Sequence, residues 1–194
     1  MIDHAGSIDT VTGSARGIGR AVAKTLAAGG AYVAILDINE EGARAAAEEL
    51  EAQYSVRTSS GSLDVADKET VVEAFQRLSE EFGHIDILVN NAAITTNINM
   101  IADMPMENWD REIGMNLSGA FYCAKQVLPG TVERKWGRIV NVSSAAGAMG
   151  GCGQCSYAAS KAGPLCLTKT IALEYARNNV AANALSWRFR RSMQ

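Results

Sequence analysis

Three nearly continuous apolar runs, AYVAIL at 31–36, IDILVN at 85–90 and GRIVNV at 137–142, constrain this chain most. A strand with one wet face alternates apolar and polar residues, whereas a strand covered on both faces need not. Between the runs lie stretches of helical spacing. In DKETVVEAFQRLSEEFG, 67–83, the residues Val71, Val72, Phe75, Leu78 and Phe82 recur at helical intervals, Asp67 is placed to cap the first turn, and Gly83 ends the last. INEEGARAAAEELEAQ, 38–53, is rich in Ala and Glu and predicts another helix despite its interior glycine. Strand and helix in turn over most of the chain predict right-handed crossovers, a parallel sheet and helices on both faces, which is a doubly wound α/β fold. With 194 residues and no linker or low-complexity tract, a single domain is expected.

Composition excludes several functions. The formal charge is −3, against the concentrated positive field that a nucleic-acid or anionic-membrane surface needs. Arg188, Arg190 and Arg191 form a short basic cluster in the last seven residues, read as a solvated tail. The start, MIDHAGSIDT, has neither a basic opening nor an apolar run, so no secretory signal is visible. The longest uncharged run, 139–160, has the length of a membrane span but is full of Gly, Ser, Asn and Gln. Four cysteines (123, 152, 155 and 166) fit reduced thiols, and a cytoplasmic protein is expected.

VTGSARGIGR, 11–20, follows the first strand candidate and opens a helix. Gly13 lets the chain turn sharply, Gly17 admits a pyrophosphate close to the backbone, and Gly19 lets the helix pack tightly on the sheet. The free amides at the helix start face the phosphates. An acid closes the next strand: Asp37 ends AYVAILD at about the twenty-residue offset where a carboxylate accepts both hydroxyls of an adenosine ribose. It repels a 2′-phosphate and so favours NAD, while Arg16 inside the turn is suited to receive that phosphate and keeps NADP possible. The plainer reading of Asp37 is a cap for the helix after it.

GCGQCSYAASK, 151–161, holds two competing patterns. Cys152 and Cys155 have the spacing of a thiol redox pair or half a zinc site, but no second Cys or His pair at metal spacing accompanies them, and they are read as lining a substrate pocket or packing. No metal is expected. Tyr157 and Lys161 stand one helical turn apart on the same face. An ordinary phenol, with a pKa of about 10, is ionised in only about one molecule in a thousand at neutral pH, and a nearby positive charge favours the ionised form. A phenol so assisted can take a proton from an alcohol or return one to a carbonyl. Ser144 ends the strand GRIVNVSS, where its hydroxyl can orient the same substrate oxygen, NNAA follows IDILV, and Asn116 lies in the helix-like stretch WDREIGMNLSGAFYCAK. The bland alternative is two residues on an amphipathic helix.

Together these residues resemble the short-chain dehydrogenase/reductase family, close to its 3-oxoacyl-acyl-carrier-protein reductase type, over roughly 8–186. TGSARGIG matches the family's TGxxxGxG turn and brings in Gly13, Arg16, Gly17, Ile18 and Gly19. Asp64 and Val65 fall where the family contacts adenine, and NNAA matches NNAG with Ala93 in place of its glycine and Asn91 on the cofactor side. Ser144, Tyr157 and Lys161 match the catalytic triad, and Asn116 the asparagine that holds a proton-relay water. The resemblance implies a Rossmann-like domain over 1–194 that binds NAD(P), with no separate substrate domain. It also implies hydride transfer with a secondary alcohol or ketone. Tyr157 is the implied acid/base, Ser144 polarises the oxygen, and Lys161 both assists the tyrosine and holds the nicotinamide ribose. Homodimers or homotetramers through the helices of Asn116 and Tyr157 are implied as well.

Three features depart from the family. GSIDTVTG carries Asp9 and Thr10 where a central strand should be apolar, and an unpaired Asp there costs several kcal/mol or stays protonated. Pro164 falls inside the helix that begins near Tyr157, where a kink is expected. After NNVAANALS the family continues with a Pro-Gly turn, a substrate lid, a helix and an edge strand. This chain reads WRFRRSMQ, which suggests a truncated or frame-altered product lacking the last edge strand. On that basis cofactor binding is the firmer expectation, and the alternative function is a catalytically impaired dinucleotide-binding remnant.

Overall fold

The computed structural model describes residues 4–96 and 98–186, so WRFRRSMQ and its three arginines lie outside the described residues. Six strands form one parallel sheet: β1 (Ile8–Thr12), β2 (Tyr32–Asp37), β3 (Thr58–Ser62), β4 (Ile87–Asn90), β5 (Gly137–Val142) and β6 (Val180–Leu185). Their order is β3-β2-β1-β4-β5-β6. The helices are α1 (Gly17–Ala28), α2 (Glu40–Tyr54), α3 (Lys68–Phe82), α4 (Met106–Ile113), α5 (Gly119–Arg134), α6 (Ala145–Met149) and α7 (Cys155–Tyr175). This is the doubly wound sheet expected from the sequence.

The continuous apolar runs have their reason in β2. Val33 and Ile35 pack on one face with Ala23 and Leu26 of α1 and Ala43, Ala46 and Leu50 of α2. Ala34 and Leu36, on the other, pack with Val71, Phe75 and Leu78 of α3, Cys123 and Val127 of α5 and Ile171 of α7. Both faces are covered, so every position of the strand can be apolar. Asp67 caps α3 by accepting from the amides of Glu69 and Thr70, and Gly83 ends it at φ +85°. Val72 turns outward, 45% exposed, unlike its neighbours in the pattern.

Asp9 is the misfit that the sequence announces. It lies between Val33 and Ile87 in the middle of the sheet, 0% exposed, and neither oxygen has a hydrogen-bond partner. The Ser7 hydroxyl, two residues before it, donates to His4 O at 2.8 Å, and His4 Nδ1 stands 3.9 Å from Asp9. Burial pushes the acid from 3.8 up to about 7, with the nearby Ser7 hydroxyl opposing the shift and the Asp86 carboxylate adding to it.

Pro164 does not end α7, which stays helical from Cys155 to Tyr175 with Pro164 buried inside it. The WDREIGMNLSGAFYCAK stretch is not one regular helix: α4 and α5 are joined by a π-helical turn, Gly114–Ser118, that contains Asn116. Such an extra residue in the ladder often marks a functional position.

Candidate active site

Strand order reverses between β1 and β4, and at the carboxyl ends of β1, β2, β4 and β5 a cleft of about 370 Å³ opens. This is the position at which open α/β sheets hold ligands. Gly13, Arg16, Gly17, Ile18, Asp37, Asn91, Tyr157 and Lys161 all line it. Gly19, Asp64, Val65, Asn116 and Ser144 are not among its lining residues.

The glycines divide the work as the turn geometry requires. Gly13 sits at φ +63°, and a Cβ there would fall 2.7 Å from Ala92 Cα. Gly17, at φ +60°, has no protein atom within 4 Å of its virtual Cβ, so its bareness serves the open cleft and not the packing. A Cβ on Gly19 would meet Gly13 O at 2.3 Å, which explains the closeness of α1 to the turn. Asn91 Nδ2 donates to Thr12 O (2.9 Å) and Gly13 O (2.8 Å), and the Thr12 hydroxyl accepts from the amides of Asn91 and Ala92, both at 3.1 Å. Asn91 thus braces the glycine turn from β4. Ala93, where the resembled motif has glycine, is not among the residues with positive φ, so its side chain brings no backbone strain.

Asp37 accepts from the Ala15 amide through Oδ2 and from the Asn39 amide through Oδ1, both at 3.0 Å. It does not cap α2: that place belongs to Asn39, whose side chain accepts from Gly42 N. Arg16 begins α1 with an exposed side chain. Asp64 and Val65 follow Leu63, which does line the cleft; Asp64 accepts from the Ala66 amide, and Val65 is buried against Gly119.

Tyr157 and Lys161 lie on the first and second turns of α7, facing the cleft. Lys161 is buried, its Nζ donates to Val142 O at 2.8 Å, and burial lowers its ammonium from 10.5 to about 8. Ser144 caps the short α6, accepting from Ala146 N at 3.2 Å, and its neighbour Ser143 reaches the cleft wall. The Asn116 side chain is fully engaged: Oδ1 accepts from Ile94 N (2.8 Å), and Nδ2 donates to Ile94 O (2.8 Å) and Ser160 Oγ (3.0 Å). It fastens the loop after β4 to α7.

Neither Cys152, exposed, nor Cys155, half-buried at the start of α7, is among the residues lining this cleft; both are free thiols. Among the described residues no group of His, Cys, Asp and Glu could hold a metal ion, and no helix is long and apolar enough to cross a membrane. Ser143 and Thr12 were not singled out by sequence. Their only signal was adjacency to Ser144 and Gly13, because hydroxyls at strand ends are common.

The short chain dehydrogenase family model matches residues 8–187. The chain belongs to the short-chain dehydrogenase family. Within that family it is 39% identical over 181 residues to a 3-oxoacyl-acyl-carrier-protein reductase FabG of Aquifex aeolicus, covering 93% of this chain and 73% of that relative. It is 38% identical over 183 residues to a 2-dehydro-3-deoxy-L-rhamnonate dehydrogenase (NAD(+)) of a Sphingomonas species, covering 94% and 72%. The crystal structure of an NAD+-bound xylitol dehydrogenase superposes with a TM-score of 0.91 at 34% identity, over 94% of this chain and 70% of that one. Family membership makes the oxidoreductase class the frame for the cleft.

Proposed function

We propose that this chain is an NAD(P)-dependent oxidoreductase interconverting a secondary alcohol and a ketone, with Tyr157 carrying the proton. The reading rests on one observation above all: a glycine turn, a strand-end carboxylate and the Tyr157–Lys161 pair share a single cleft at the switch point of the sheet.

The residues fit a dinucleotide. The space above Gly17 is open where a side chain would otherwise stand, and the first amides of α1 suit a pyrophosphate. Each Asp37 oxygen holds a single amide and keeps lone pairs for two ribose hydroxyls. Asp37 favours NAD, and exposed Arg16 keeps NADP within reach. Asp64 and Val65 would approach adenine at the Leu63 wall, and Asn91 would hold the turn beneath the nicotinamide half. When bound, the nicotinamide supplies a hydride acceptor for the alcohol or a donor for the ketone.

The chain's own groups manage the proton. Tyr157 takes it from the alcohol or gives it to the carbonyl, and the Lys161 ammonium stabilises the negative charge left on the phenol oxygen. Val142 O fixes that ammonium in place. Ser144 receives an amide hydrogen from Ala146, so its own hydroxyl hydrogen is free to donate to the substrate oxygen. Asn116 orients the loop and helix around them.

The deciding test is the NADH absorbance change with a panel of secondary alcohols and ketones, abolished in Tyr157→Phe. Stabilisation by NAD without turnover of any substrate would favour the impaired, dinucleotide-binding alternative. A homodimer or homotetramer is part of the proposal, supported by the exposed Phe121 of α5, which lines an apolar groove between α5 and α7, and by the exposed Leu173 on α7. Sedimentation would test it, a monomer at working concentration counting against it. Four free thiols accord with a cytoplasmic location.

A further inference from the structure

Glu112 plays no part in the chemistry proposed above, yet it is the buried residue of α4, 1% exposed. A carboxylate so placed is costly unless its lone pairs are filled. They are filled from two directions. Oε1 accepts from both the amide and the hydroxyl of Thr96, the latter at 2.8 Å, and Oε2 accepts from Ser156 Oγ at 2.6 Å. Thr96 belongs to the loop after β4, and Ser156 is the residue before Tyr157. All three donors are neutral, so the carboxylate acts as a hub for hydrogen bonds.

One turn further on, Asn116 repeats the arrangement. It grips Ile94 of the same loop and donates to Ser160 Oγ of the same helix. Glu112 and Asn116 are four residues apart, and so are Ser156 and Ser160. The result is a ladder of two rungs between the α4 segment and α7. Each step along a helix turns the side chain by about 100°. Pinning Ser156 and Ser160 toward α4 therefore sets the direction of the residues that follow each of them, Tyr157 and Lys161, toward the cleft. The loop is held at a third point, where Asn99 N donates to Gly153 O at 3.0 Å.

We propose that Glu112 is a positioning residue: it locks Thr96 of the loop after β4 to the first turn of α7 and, with Asn116, fixes the rotation that aims Tyr157 at the substrate. The catalytic half of this statement rests on the reading of Tyr157 given above.

The test uses the full chain with Glu112→Ala, Glu112→Gln and Ser156→Ala, read by amide hydrogen exchange over 94–100 and 155–160, by steady-state kinetics and by NAD-induced thermal shift. In Glu112→Ala, exchange of the Thr96 amide should rise at least tenfold and kcat should fall about ten- to a hundredfold, the loss expected of a misaimed proton carrier, while the thermal shift from NAD is kept. Glu112→Gln should recover most of kcat, because its oxygen still accepts from Thr96 and the Ser156 hydroxyl can turn to accept from its amide. Ser156→Ala, which removes one bond only, should reproduce a smaller kcat loss and decides the matter if Glu112→Ala does not fold. Unchanged exchange over 94–100, or raised exchange with unchanged kcat, overturns the proposal. If the unmodified chain turns over no substrate, it is the reading of Tyr157 that fails, and the exchange experiment alone still decides whether Glu112 locks the loop.

Discussion

The ammonium of Lys161 donates a 2.8 Å hydrogen bond to the main-chain carbonyl of Val142, so a cation from α7 is anchored to the last residue of β5 on the cleft floor. A lysine held in this way is screened from water, which is why its proton is released at about pH 8 instead of 10.5.

Two effects of pH follow for Lys161. The folded state releases this proton before the unfolded state does, so between about 8 and 10.5 the unfolded chain binds more protons and stability should rise with pH, by up to about 3 kcal/mol. Lys161→Met should remove that rise in urea unfolding measured at pH 7.5 and 10. Alcohol oxidation should decline above about pH 8 as the cation disappears, and a rate that climbs steadily to pH 10 would contradict the role given to it.

Asp9 works in the opposite sense. Its folded value of about 7 lies above the ordinary 3.8, so the unfolded chain sheds the proton first and stability should fall as pH rises from about 4 to 7, by up to about 4 kcal/mol. Asp9→Val, which suits a strand covered on both faces, should abolish this slope and give the more stable protein at pH 7.5. A flat profile in the unmodified chain would mean that Asp9 finds a partner in solution.

Gly17 and Gly19 should respond differently to alanine. At Gly19 the new Cβ meets Gly13 O at 2.3 Å and Asn91 Nδ2 at 2.5 Å, so Gly19→Ala should cost about 1–3 kcal/mol of stability despite alanine's helix preference. At Gly17 nothing in the protein is within 4 Å, and the positive φ alone costs about 1–2 kcal/mol. Gly17→Ala should therefore weaken NAD-induced thermal stabilisation more than it lowers the melting point of the free protein.

Cofactor choice should turn on Asp37. Removing its charge in Asp37→Ser should shift the ratio of NAD to NADP affinity toward NADP by about tenfold or more, read from titrations with each dinucleotide. Arg16→Ala should act in the reverse direction. No shift in either variant would mean that the adenosine ribose lies elsewhere.

The course of the chain was legible because each element carries its own local signal. The three apolar runs are strands, Asp67 and Gly83 bound α3, and Tyr157 and Lys161 share the cleft-facing side of α7. The site was legible where a motif is compact, as in TGSARGIG. It was not legible where partners lie far apart in sequence. Nothing local marks Glu112 as the acceptor for Thr96 and Ser156, or shows that Asn116 sits in a π-helical turn with its side chain already occupied. The cap of α2 went to Asn39 and left Asp37 to the cleft, a choice between neighbours that only the path of the backbone makes.

By itself, then, the sequence determined the alternation of strand and helix, the glycine turn and the i, i+4 pairing of phenol and amine, because periodicity, steric bareness and helical pitch act over a few residues. Tertiary structure alone decided which way α7 is rotated, how deeply Lys161 and Asp9 are buried and hence when they titrate, and which polar groups answer one another across the fold. Those properties depend on distances between elements tens of residues apart, and burial and charge interactions exist only once the sheet has brought them together.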